Sequence, residues 1–158
     1  MGNALNEKER NSRPKGEKMT ENAAVLPDRP EPKGRYPHYR RAGDFIFVSG
    51  TTSRRPDNTY VGAIENESGQ IELDIKEQTR ATIESIGSIL NAAEATLEDV
   101  VQISTVLIDM KDFEGYNEVY GEFFDESGPA RTTVGINQLH HPHLLIEITA
   151  TAYKPQPN

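Results

Sequence analysis

The sequence has no cysteine and no tryptophan among its 158 residues. Without cysteine the chain can form no disulfide framework, no thiolate nucleophile and no zinc site of the cysteine type. The N-terminal segment has no apolar run, so we expect neither a secretory signal nor a membrane span. The net charge of −8 repels a nucleic-acid backbone unless the cations cluster, and no long basic stripe is present. The sequence therefore predicts a cytoplasmic protein without nucleic-acid or membrane partners.

The first part of the chain differs in composition from the rest. Residues 1–33 are rich in Lys, Glu, Pro and Asn, and such a segment buries too little apolar surface to order itself. We therefore predict a mobile N-terminal arm over 1–33. Residues 34–158 have the length of one domain, and the hydrophobic content of 35 % is enough for one modest core.

Hydrophobic periodicity predicts the element order β-β-α-β-α-β-β, and Pro, Asn, Asp and Gly mark a loop over 54–72. The predicted strands are 36–42, 45–53, 100–110, 131–139 and 144–153, and the predicted helices run from 74 to about 94 and from about 112 to the stop at Gly128-Pro129. This order is typical of an α+β domain in which two helices cover one face of a sheet.

The last predicted strand indicates what lies on the other face of that sheet. Ile146, Ile148 and Ala150 point one way, towards the helices, whereas Glu147 and Thr149 point the other way. The second set is too polar for a core. It suits a sheet that packs against other subunits around a wet interior.

Arg131 and Glu147 are the two candidate catalytic residues. Glu is depleted in strands and costly to bury unpaired, so Glu147 among apolar neighbours implies exposure or a specific partner. The planar guanidinium of Arg131 suits a substrate carboxylate, although a salt bridge is its usual role at a strand start. If 140–143 is a hairpin loop, Arg131 lies opposite residue 152, about 16 Å along the strand from Glu147. A site that uses both would then form where two subunits join.

Other polar residues carry weaker signals. Asn117 shares a helical stripe with aromatic residues, so its amide needs a buried partner. The histidines of "HHPH" (140–143) have neither supporting acidic residues nor helical spacing, and we interpret them as loop residues rather than metal ligands. Arg54-Arg55 is usually a solvated turn, but it could hold a second acidic group of a ligand.

Five segments together resemble, in order, the motifs of the Rid family of reactive-intermediate deaminases, also called the YjgF family. They are "GRYPHYRRAGDFIFVSG", "DIKEQTRATIESIGSIL", "DMKDFEGYNEVYGEFF", "GPARTTV" and "LLIEITATAY". The resemblance runs from about Gly34 to Tyr153. It implies a chorismate-mutase-like fold and a homotrimer around a central β-barrel, with clefts between subunits that hydrolyse enamines and imines without a metal or organic cofactor.

The resemblance also implies roles for individual residues. Arg131 would bind the substrate carboxylate, and Glu147 would position the attacking water and transfer protons. The residues expected to line or contact the substrate pocket are Tyr36, His38, Ser49, Gly50, Arg55, Asn117 and Thr133. Thr133 stands where the family often has Cys, so a thiol role is absent.

Two segments, "YPHYRRAGDFIFVSGTTSRRPDNT" and "HHPHLLIEI", are similar to the 2-aminomuconate deaminase branch of the family. That substrate has two carboxylates, so a second cation is needed; the candidates are His38, Arg54, Arg55, His140, His141 and His143, with Arg55 preferred. The alternatives are a general 2-imino acid deaminase with the same site, an RNA-acting protein and a non-catalytic trimer that binds a carboxylate metabolite.

Overall fold

A computed structural model describes residues 22–156 of the chain. Within that range there are eight strands and two α-helices. They are β1 (Ala23–Ala24), β2 (Tyr39–Ala42), β3 (Phe45–Thr51), β4 (Ala63–Glu65), β5 (Ile71–Leu73), α1 (Ile75–Ala92), β6 (Val100–Leu107), α2 (Phe113–Tyr120), β7 (Ala130–Gly135) and β8 (Ile146–Tyr153).

The main sheet has six strands in the order β1-β2-β3-β8-β6-β7, and β6 with β7 is its parallel pair. Helix α1 packs on β3, β8 and α2. The predicted α+β class, with two helices on one face of a mixed sheet, is therefore confirmed. The small β4-β5 ribbon lies within the predicted loop 54–72 except for its last residue, Leu73. Its strands have three residues each, which is too short for an alternating pattern to be recognised.

The predicted hairpin of the last two strands is wrong. β7 pairs in parallel with β6, while β8 lies between β3 and β6 and is antiparallel to both. The physical reason is that β6, α2 and β7 form a strand-helix-strand unit, and such a crossover returns the third element parallel to the first. β7 therefore occupies the outer edge of the sheet, and β8 fills the position on the other side of β6.

The part of the predicted arm that the structure describes is packed on the domain. Ala23–Ala24 pairs with β2, and the side chains of Ala24 and Leu26 are buried. These short apolar residues extend the sheet and its core, so the folded domain begins before residue 34. Residues 1–21 of the predicted arm lie outside the described residues.

Helix α1 begins as its sequence predicts. The Asp74 side chain accepts hydrogen bonds from the backbone N–H groups of Lys76 and Glu77, at 2.8 and 3.1 Å. This N-cap pairs two of the backbone donors that a helix start leaves free. The helix then buries Ile83, Ile86 and Leu90 against the sheet. Helix α2 ends at Tyr120, earlier than the predicted stop at Gly128-Pro129.

Gln78 of α1 connects the helix to the segment that enters β8. Its side chain is fully buried. Nε2 donates to the carbonyl of His143 at 2.7 Å, and Oε1 accepts from the N–H of Leu145 at 2.9 Å. Both bonds lie just before Glu147 in the chain. Gln78 therefore fixes where β8 starts and, with it, the position of the candidate catalytic carboxylate.

We expect Gln78→Met to lower the free energy of unfolding by about 2–4 kcal/mol, because it leaves the part-buried N–H of Leu145 and the part-buried carbonyl of His143 unpaired. Chemical denaturation followed by circular dichroism measures this loss. Gln70→Met, at an exposed turn position, is the control and should change stability by less than about 0.5 kcal/mol. Equal effects of the two substitutions would contradict the role of Gln78.

Candidate functional site

Glu147 lies on the sheet face opposite the helices and contacts the backbone at Gly50. A Cβ atom added at Gly50 would stand 2.6 Å from Oε1 of Glu147, so only glycine leaves room for this carboxylate. The pairing of β3 with β8 shifts register between Val48 and Thr51. An irregularity of this kind bends a strand and redirects its residues, and it is common beside functional sites.

Burial raises the pKa of the Glu147 carboxyl above its ordinary value. The side chain is half-buried, and among the described residues no hydrogen bond or ion pair to its carboxylate compensates for the lost hydration. A carboxylate with a raised pKa is a better proton acceptor than an exposed one. Glu147 therefore has the properties of a general acid-base group.

Arg131 lies on β7 at the edge of the sheet. Its Nη1 donates to Oδ1 of Asn117 at 2.9 Å. The guanidinium carbon lies 4.5 Å from the centroid of the Tyr120 ring and 5.3 Å from that of Tyr116. These contacts hold an exposed guanidinium in one orientation without neutralising its charge. Asn117 is itself exposed, so the expectation of a buried partner is wrong; its partner is Arg131.

Arg131 and Glu147 point to opposite faces of the sheet. Arg131 is paired with Ile103, which is buried under the helices, whereas Glu147 is paired with Val106. Residues 103 and 106 are an odd number of positions apart on one strand, so their side chains and those of their partners face opposite ways. The sequence predicts that the two groups are separated by a distance along one strand. In the structure the sheet itself lies between them, so they are on opposite faces.

A narrow cleft lies beside Gly50. Tyr36, Ser49 and Gly50 line it, together with Arg29 and Arg54. The Ser49 hydroxyl donates to the carbonyl of Pro37 at 2.7 Å, and the Ser49 N–H donates to that of His38 at 2.9 Å. The predicted pocket residues Tyr36, Ser49 and Gly50 are thus together, although the hydrogen-bond donors of Ser49 are already used within the protein.

His38 also lines this cleft, but both of its ring nitrogens bond to backbone. Nδ1 accepts from the N–H of Leu26 at 2.9 Å, which leaves Nε2 as the donor to the carbonyl of Pro30 at 3.0 Å. Burial, the largest cause, lowers the pKa of His38 and favours this neutral form. His38 therefore holds the segment 26–30 in place, and its ring nitrogens are not free to bond a substrate; its predicted place in the pocket lining stays a prediction.

Arg54, rather than the preferred Arg55, is the arginine of the turn that reaches this cleft. Arg55 is exposed, and its Nη1 donates to Oγ1 of Thr59 at 3.1 Å. Arg29 was missed by sequence reasoning because it lies in the predicted arm. The apolar run "AAVL" at 23–26 is the signal that could have placed it in the fold.

The remaining candidates lie elsewhere. Thr133 follows Arg131 on the same face of β7, and its buried hydroxyl has no hydrogen-bond partner among residues 22–156. The ring of His141 stacks on Tyr60 at 4.3 Å, and His143 meets the same ring edge-on. In the described part of the chain, no group of three or more His, Asp or Glu side chains is arranged to hold a metal ion.

Comparison with known proteins identifies the class. The sequence profile of the family described as Endoribonuclease L-PSP matches residues 26–154. A RutC family protein of Pyrococcus horikoshii is 42 % identical over 136 residues, which cover 86 % of this chain and 95 % of the relative. The chain belongs to this family, whose members are also called Rid and YjgF proteins.

Solved structures agree with this assignment. RidA from an Antarctic Psychrobacter has a TM-score of 0.66 at 27 % identity and covers 80 % of this chain and 94 % of its own. Escherichia coli TdcF, solved with bound serine, has a TM-score of 0.65 at 28 % identity with the same coverage. Trimers are typical of the family. None of the helices in the described residues is long and apolar enough to cross a membrane.

We expect Glu147→Gln to raise the melting temperature at pH 7. The raised pKa means that the folded state binds this proton more tightly than the unfolded chain, so stability falls as pH rises through the raised value. The amide removes that penalty. The gain should shrink as the pH falls below the ordinary glutamate pKa of 4.5, because the wild-type carboxyl is then protonated in both states.

Differential scanning fluorimetry between pH 4 and pH 8 measures this change. Glu126→Gln, at an exposed position, makes the same chemical change without relieving a buried charge. A melting temperature of Glu147→Gln that falls at pH 7, or a gain that is independent of pH, would contradict the burial argument.

Proposed function

We propose that this protein hydrolyses an enamine or imine acid to the 2-oxo acid and ammonia, and that 2-aminomuconate is its substrate. The observation that supports the proposal is a pair of charged groups without a partner of opposite charge in the described residues. They are the half-buried carboxylate of Glu147, whose pKa is raised, and the orientated guanidinium of Arg131. A 2-imino acid has a carboxylate for the second group and an electrophilic carbon for water activated by the first.

Because the sheet separates the two groups within one chain, we place the site between subunits, with Glu147 from one and Arg131 from its neighbour. The open face of the sheet supports such packing. Phe45 and Phe47 on β3 and Tyr153 on β8 are each more than two-fifths exposed, and the rings of Phe45 and Tyr153 lie 5.2 Å apart. An exposed aromatic cluster of this kind marks an interaction surface, and a trimer that encloses it would form the expected central β-barrel.

The reaction follows from these positions. The α-carboxylate binds Arg131, and the enamine tautomerises to the imine. Glu147 takes a proton from water as the water oxygen bonds to the imine carbon, and the imine nitrogen takes a second proton from solvent, which gives the neutral carbinolamine. Glu147 then passes its proton to the amino group. The carbon-nitrogen bond breaks, ammonia leaves, and the hydroxyl gives its proton to solvent to become the 2-oxo group.

The experiment is steady-state kinetics of ammonia release with 2-aminomuconate. Glu147→Gln should lower kcat by ~10²–10⁴-fold, the usual contribution of a positioned acid-base group. Arg131→Ala should mainly raise KM, because it removes carboxylate binding. Lys111→Gln, a charge change at a side chain that is 90 % exposed, is the control and should behave as wild type.

Two results decide between the candidates. Wild-type rates in both Glu147→Gln and Arg131→Ala would overturn the site. Equal kcat/KM for 2-aminomuconate and for the monocarboxylate 2-iminopropionate would instead indicate a general 2-imino acid deaminase that uses the same residues.

A further inference from the structure

A second, wider cleft adjoins the one beside Gly50. Arg29 and Arg54 line both clefts, so the two lie side by side. The walls of the second cleft come from the segment before β2, the turn that follows β3 and the outer side of α1. Three guanidinium groups line it, those of Arg29, Arg54 and Arg55, against the carboxylates of Asp28 and Glu84.

Two buried donors that line this cleft have no partner in the part of the chain that the structure describes. The Ser53 side chain is 2 % exposed, and its hydroxyl makes no hydrogen bond there. Nε of Arg29 is also buried and unbonded. Buried donors in folded proteins nearly always have a partner. Two unpaired donors beside one cleft indicate that the missing acceptor belongs to a ligand.

The charge of Arg54 remains available to such a ligand. Its Nη1 donates to Oδ1 of Asn58 at 2.9 Å, and its Nη2 donates to the carbonyl of Glu31 at 2.6 Å. Both partners are neutral, so they orientate the guanidinium without cancelling its charge. The acidic partner of Arg29 is Asp28, whose side chain is 71 % exposed and therefore well solvated. The cleft thus presents orientated cations and a hydroxyl, which together favour an anion.

We propose that Arg29, Ser53 and Arg54 bind the distal carboxylate of a dicarboxylate substrate whose amino end lies in the cleft beside Gly50. The distal assignment rests on the proposed deaminase function. Because the same two arginines line both clefts, we place one elongated molecule along both. A substrate with a single carboxylate leaves the second cleft unfilled, so these three residues set the preference for dicarboxylates.

The test uses two unreactive probes of equal length. Muconate has a six-carbon diene chain with a carboxylate at each end, and sorbate has the same chain with one. Isothermal titration calorimetry should give a Kd for muconate at least about tenfold below that for sorbate, the contribution of one charge-assisted contact. Arg54→Gln should bring the two Kd values to within about twofold, and Ser53→Ala should reduce their ratio about threefold.

Lys111→Gln is the matched control and should keep the wild-type ratio. Circular dichroism and melting temperature show whether each variant is folded, and Ser53→Ala removes only a hydroxyl that has no partner in the described residues. A ratio near one in the wild type, or an unchanged ratio in Arg54→Gln and Ser53→Ala, overturns the proposal. Muconate that binds without competing with acetate also overturns the proposal, because the two molecules then bind at separate sites.

The Kd values for muconate and sorbate do not depend on whether the protein turns over a substrate. If muconate preference depends on Arg54 and Ser53 but ammonia is released from no imine acid, the carboxylate site stands and the deaminase function fails. If the protein deaminates imine acids but shows no such preference, the function stands and the distal site is wrong.

Discussion

The alternation of side chains across the sheet is the constraint on which the rest of the account depends. It places Arg131 under the helices at one edge and Glu147 on the open face two strands away. No rotamer change brings them together, because the backbone of the sheet lies between them. If the two residues act on one substrate, the protein has to associate, and association becomes part of the active site rather than an addition to it.

The environment of Glu147 shows how stability and chemistry compete at this position. The irregular pairing of β3 brings Gly50 against the carboxylate, and burial without a compensating partner raises its pKa. This arrangement destabilises the ionised fold, and it raises the proton affinity of the carboxylate. Arg131 is the opposite case: Asn117 and the aromatic rings of α2 orientate the guanidinium and leave its charge for a ligand.

Several elements of the fold could be predicted from local sequence patterns. The alternation of β8, the helical spacing of α1 and the Asp74 cap are local signals, and each agrees with the structure. The partner of β7 could not be predicted locally, because it depends on the crossover through α2. Arg29 was missed because the short apolar run that anchors it, at 23–26, lies in a segment whose overall composition predicts an arm. His38 was placed on the substrate because a sequence does not reveal that backbone groups occupy both ring nitrogens.

The most direct test of the shared site is subunit complementation. Glu147→Gln and Arg131→Ala chains are unfolded together and refolded in equal amounts, and the mixture is assayed at a substrate concentration at which each variant alone is nearly inactive. In a trimer with sites between neighbours, random mixing gives three-quarters mixed trimers, and each of these has one intact site in three, so activity should recover to about a quarter of the wild-type value. Activity no higher than that of either variant alone would show that Arg131 and Glu147 do not act together across an interface.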